Sequence, residues 1–166
     1  MTPFSFSPLS APVLLALFST GCAYAADLNV DLNKPALVIS AKATKPMTFS
    51  LQQLSTLPIR RITTSTQWHH APQQWEGVSI KALLGKLGAT GTSVYVAALN
   101  DYAIDIAVAD IIKYDPILAY KVDGHYMPVR DKGPLVVIYP YDEYPALNIQ
   151  FYYNQAVWQV NHITVR

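Results

Sequence analysis

Residues 63–77, "TTSTQWHHAPQQWEG", concentrate the side chains of this sequence that could do chemistry. They hold an adjacent histidine pair, His69 and His70, two tryptophans, Trp68 and Trp75, and a hydroxyl run that includes Thr64 and Ser65. A histidine pair suggests a metal site, yet neighbours on an extended chain point to opposite faces. The other histidines, His125 and His162, stand at no ligand spacing, and neither H-x-x-x-H nor H-E-x-x-H occurs. The pair therefore reads as an ordinary strand or loop feature. Hydrolytic chemistry is equally unsupported. The sequence has no G-x-S-x-G elbow and no S-x-x-K. Its glutamates, Glu76 and Glu143, have no neighbours that suggest a tuned acid–base pair. No G-x-x-x-x-G-K-[ST] phosphate loop is present.

Two further stretches place polar groups where a ligand could use them. "LNDYAIDIAVADI" (99–111) puts Asn100, Asp101 and Tyr102 at a turn and Asp105 inside an apolar strand. A strand carboxylate faces solvent unless a cleft supplies a hydrogen-bonding partner. "VRDKGPL" (129–135) sets Arg130, Asp131 and Lys132 before a Gly-Pro bend. Glycine and proline there let a backbone approach a ligand closely, with charges to orient it.

The elements that must position these groups are short. "PVLLALF" followed by Ala23-Tyr24-Ala25 reads as a secretory signal over residues 1–25, too short to span a bilayer. A lipoprotein modified at Cys22 ranks second. Removal of the leader takes Cys22, the single cysteine, with it, so the exported chain has no disulfide and no thiolate. All 12 Lys/Arg and 11 Asp/Glu follow the cut, spread without a basic run, which removes the electrostatic footprint of nucleic-acid binding. Of 11 tyrosines one, Tyr24, is lost with the leader, and the rest suit a ligand wall or sheet packing.

Strands are expected at 36–40, 59–66, 93–99, 102–108 and 135–140, with a hairpin turning at Asp123-Gly124. Ser50 and Gln53 have capping-box spacing for a short helix ended by Pro58, and Ser79 caps a helix that stops at Gly88. "DIIKY" gives one helical turn, residues 141–148 a loop, and the alternating "VWQVNHITV" a strand that closes the sheet, with Trp75 and Trp158 in the core. The sum is an α+β fold, a mixed, sheet-rich single domain with short helices. Residues 26–44 form an N-terminal segment and 45–166 the domain.

The order of "TTST-W…WEGVSIKALL", "ALNDYAIDI", "DGHYMPVRDKGPLVVIYP" and "VWQVNHITV" resembles the sulfite-oxidase-type (SUOX) molybdopterin-binding fold family. That family's W-x-G-[FV]-x-L-x-x-L-L segment matches Trp75 to Leu84. Its two G-x-P-L elements match Gly124 to Val129 and, one residue short, Gly133 to Leu135. Its last strand matches Val157 to Val165. In the family's enzymes a cysteine four residues before a tryptophan binds molybdenum. Lined up on Trp68 that position is Thr64, or Ser65 if the gap falls differently, so molybdenum is not implied.

A cysteine-free, exported, single-domain version is similar to small periplasmic PruR-type proteins. That likeness implies binding of a reduced pterin, such as a tetrahydropterin, without metal and without catalysis. It implies a partner as well, the periplasmic domain of an inner-membrane GGDEF-EAL protein that makes or degrades cyclic di-GMP and so regulates biofilm. A pterin wants an aromatic face, a carboxylate on its donor edge and a cation on its acceptor edge. Trp68 and Tyr102 would stack, Asp105 or Asp101 would take the donor edge, and Arg130 and Lys132 the acceptor side. Asn100, Tyr139, Asp142, Tyr152 and Tyr153 stand behind them. Two other readings remain: a periplasmic molybdopterin-dependent oxidoreductase with a hydroxyl for its metal ligand, and an interaction domain whose old pocket is filled by tyrosines.

Overall fold

Alternation of apolar side chains builds two five-stranded sheets, seen in a computed structural model that describes residues 30–42 and 44–166. The expected leader and Cys22 lie outside the described residues. The first sheet has strand order β2-β1-β10-β5-β6, from β1 (Pro35–Ala41), β2 (Thr44–Ser50), β5 (Ser93–Ala98), β6 (Ala103–Ala107) and β10 (Val160–Val165). The second runs β3 (Ile59–Thr66), β4 (His69–Ser79), β7 (Ile117–Val122), β8 (His125–Tyr126), with β9 (Val136–Ile138) also on β7. The final strand, expected to close the sheet, does so from within it rather than at an edge. It lies in the middle of its sheet, parallel to β1 and antiparallel to β5.

Local chemistry sets the helices. Before α1 (Leu51–Ser55) the Ser50 hydroxyl accepts the Gln53 N–H at 3.2 Å, and the Gln53 side chain accepts the Ser50 N–H at 2.9 Å. Before α2 (Ile80–Lys86) the Ser79 hydroxyl accepts the Ala82 N–H at 3.0 Å, and Gly88 ends the segment at φ +59°. The turn expected for "DIIKY" begins earlier, as α3 (Val108–Tyr114). Past it, the 141–148 loop contains a 3-10 turn, Pro145–Leu147, and leads into the unexpected α4 (Gln150–Tyr153).

The larger core cluster joins both sheets and the helices, for example Ile39, Val96 and Ile163 with Leu118, Val137 and Leu83. Along β7, Leu118 and Tyr120 enter it, while Ile117 and Ala119 join a smaller cluster with Ile62, Trp75 and Met127. Successive residues point to opposite faces, so the second sheet is covered on both sides. Gly77 of the W-x-G segment lies opposite Ala119 on β7, where a Cβ would run into the Leu118–Ala119 backbone. The close strand approach therefore needs glycine there.

Candidate functional site

Strand β3 delivers Thr64 to a fully buried position at its end. The Thr64 hydroxyl donates to the Ser65 carbonyl at 3.2 Å and accepts the Asp142 N–H at 3.1 Å. The Asp142 carboxylate in turn accepts the Ser65 N–H at 2.8 Å and the Ser65 hydroxyl at 2.5 Å. Three hydrogen bonds to Asp142 thus clasp the loop after β9 onto the end of β3. A buried hydroxyl with both roles engaged is neither soft nor free to ligate, so this donor set does not fit a thiolate-type molybdenum centre. Among the described residues no three His, Cys, Asp or Glu side chains group as a metal site, and His69 and His70 are exposed at the start of β4.

Three residues past Ser65, Trp68 packs on the smaller core cluster and stacks on Trp158, with ring centroids 5.9 Å apart and planes 22° apart. Lys132 Nζ lies 5.1 Å from the Trp158 ring and 5.8 Å from the Trp68 ring. The 38% exposure of Trp158 corrects its core assignment, whereas Trp75 is buried in the core. Strand β10 begins only at Val160, and Gln159 holds φ +55°, which breaks the alternation that had placed Trp158 inside. Lys132 holds φ +71°, and the Gln159 N–H donates to its carbonyl at 2.9 Å. Two left-handed non-glycine residues, a sparsely populated conformation, are thus bonded to each other next to Trp158.

The 154–159 segment gathers more of the expected residues. Tyr102 donates to the Asn154 carbonyl at 2.9 Å, and the Tyr102 N–H is held by Asn100 Oδ1 at 3.2 Å, beside Asp101 at φ +64°. Buried Gln155 accepts the Tyr139 hydroxyl at 2.6 Å. Asn154, Gln155 and Gln159 carry no signal in the sequence, and Trp158 reads there only as a core residue. The turn signal of Asn100-Asp101 was visible, but the segment that meets it has no motif of its own.

Other expected residues stand apart. Asp105 is on the edge strand β6, taking the Ser93 hydroxyl at 3.3 Å and Arg166 at 3.5 Å. Arg130 is solvent-facing, 3.4 Å from Asp131, and lines a cavity that Lys132 does not. Tyr139 is fully buried in the larger core, where burial pushes its hydroxyl far above its ordinary value of 10.0. Tyr152 lies 3.4 Å from Asp110 and edge-on to Tyr114, and burial, first among its causes, raises it to about 12. Tyr153 donates to Asn148 at 3.1 Å and packs on Tyr141. Tyr139 is thus closed off in the core, and Tyr152 packs half-buried against it.

The family model "Oxidoreductase molybdopterin binding domain" matches residues 25–143. Among solved structures the chain is similar to the sulfane dehydrogenase SoxCD from Paracoccus pantotrophus, at 14% identity and a TM-score of 0.62. That match covers 84% of this chain and 40% of the other, so the chain spans less than half the length of that enzyme chain, and the likeness is one of fold. No curated protein matches. With two sheets in this arrangement and a family match over most of its length, the chain belongs to the oxidoreductase molybdopterin-binding domain family.

Proposed function

We propose that this protein is a periplasmic, metal-free pterin-binding module of its family, and that it reports a reduced pterin to the periplasmic domain of an inner-membrane GGDEF-EAL protein. One observation carries the reading. Thr64, which the sequence resemblance lines up with the enzymes' thiolate, is buried with its hydroxyl spent on Ser65 and Asp142, while Trp68, Trp158 and Lys132 form an aromatic and cationic platform. The facing sides of Trp68 and Trp158 occupy each other, so a pterin ring would stack on an outer face, worth about 0.5–1.5 kcal/mol beyond burial. Lys132 would meet its acceptor edge, and Asn100, Asp101 and the Tyr102 turn would supply polar groups to the other. No described helix is long and apolar enough to cross a membrane.

Family membership favours a second reading, an oxidoreductase that uses molybdopterin. Pterin and metal analysis of purified protein separates the two. Binding without metal predicts a fluorescent pterin released on denaturation, with molybdenum far below one per chain. Stoichiometric molybdenum with electron-acceptor activity would refute the proposal. Signalling further requires that the pterin change the affinity for the partner's periplasmic domain, and equal affinity with and without it would refute that half.

A further inference from the structure

We propose that the cavity between the start of β1 and the 127–134 loop binds a small aliphatic molecule that ends in a single anionic group. It goes beyond the pterin reading, because none of the Trp68, Trp158, Lys132, Thr64 or Asp142 side chains lines it. The cavity has a volume of about 770 Å³. Small-molecule sites usually span roughly 300–1,000 Å³. Its apolar wall is aliphatic: Leu37, Leu51, Met127 and Val160 are buried, and Leu99 and Val129 are each 49% exposed. No Phe, Tyr or Trp lines it, so it offers no platform for a flat ring. Two half-exposed aliphatic side chains on one concavity gain by being covered with apolar surface.

Charge selects the other end of the ligand. Lys34 and Arg130 line the cavity with the His162 imidazole, against one carboxylate, Asp31. Asp31 already accepts the Asn33 N–H at 3.0 Å, and Lys34 makes no ion pair among the described residues. The Arg130–Asp131 pair is exposed on both sides and yields readily to another anion. An aliphatic carboxylate therefore satisfies both halves of the site.

Calorimetry with octanoate and 1-octanol tests the assignment on the purified protein. The expected result is one saturable site with octanoate about tenfold tighter than the alcohol. Joint Lys34→Gln and Arg130→Gln should bring the acid down to the alcohol, and Leu99→Asp should weaken both, with thermal melts checking that each variant folds. Equal affinity for acid and alcohol, or no saturable binding, would overturn the proposal. Pterin content is read separately on the same samples, so failure of the pterin reading leaves this outcome distinct.

Discussion

Replacing Asp142 with alanine tests the clasp that closes the Thr64 position. The substitution removes two acceptor contacts, to the Ser65 N–H and the Ser65 hydroxyl. It leaves the backbone bond from Asp142 N–H to Thr64 in place. Asp142 is exposed and Ser65 half-buried, so water competes and each bond contributes about 0.5–1.5 kcal/mol rather than the larger value of a buried charged bond. The sum is about 1–3 kcal/mol, which for a domain this size lowers Tm by roughly 3–9 °C. Ser65→Ala removes one of the two bonds, so a double-mutant cycle should show coupling of about 0.5–1.5 kcal/mol. Thr64→Val has nearly the same shape but strips the Asp142 N–H of its acceptor, at a cost of about 1–3 kcal/mol. Thermal and urea unfolding of the four proteins in the cycle, with Thr64→Val beside them, measures all these terms. Strict additivity of Ser65→Ala and Asp142→Ala, together with a neutral Thr64→Val, would show that the clasp does not hold the loop and that Thr64 is open to a ligand.

Further substitutions probe the positions around it. Gly77→Ala should cost about 2 kcal/mol or more in urea unfolding, since its Cβ meets the Leu118–Ala119 backbone rather than a movable side chain, and a neutral result refutes the close-approach argument. Lys132→Gly should be more stable than Lys132→Ala by about 1 kcal/mol, because only glycine takes φ +71° without strain; the reverse order sinks that claim. Alkali should destabilise the fold through buried tyrosines. Burial raises Tyr120 from 10.0 to about 12, so its contribution is complete below pH 10 and is lost as pH rises through 12. That rise corresponds to about 3 kcal/mol, and a tyrosine titration of the folded protein complete near pH 10 contradicts it.

Much of the fold was legible because its signals are local. The Ser50–Gln53 box and the Ser79 cap need only a hydroxyl and an N–H three residues on, and both form. The Asn100-Asp101 and Asp123-Gly124 turns take the left-handed conformations that those residues tolerate, at Asp101, Asp123 and Gly124. The ordered motifs from Trp75 to Leu135 pointed to the family that the match over residues 25–143 shows. Pairings remote in sequence were not legible. The place of β10 between β1 and β5 depends on hydrogen bonds to a strand more than a hundred residues away, and alternation reads the same at an edge or a centre. Trp158 followed an apolar pattern yet lies half outside, because Gln159 turns the chain before the strand begins.

Sequence by itself determined the residue types available: no thiolate at Thr64 or Ser65, tryptophans at 68 and 158, a lysine at 132 and a glycine at 77. Tertiary structure alone decided which of them meet. It put Asp142 on Thr64 and Ser65, Trp158 on Trp68, and Arg130 on a cavity but Lys132 over the tryptophan pair, although they are two residues apart. The physical reason is that side-chain direction follows local backbone geometry, whereas contact between remote segments follows the packing of two sheets, which no short stretch of chain encodes.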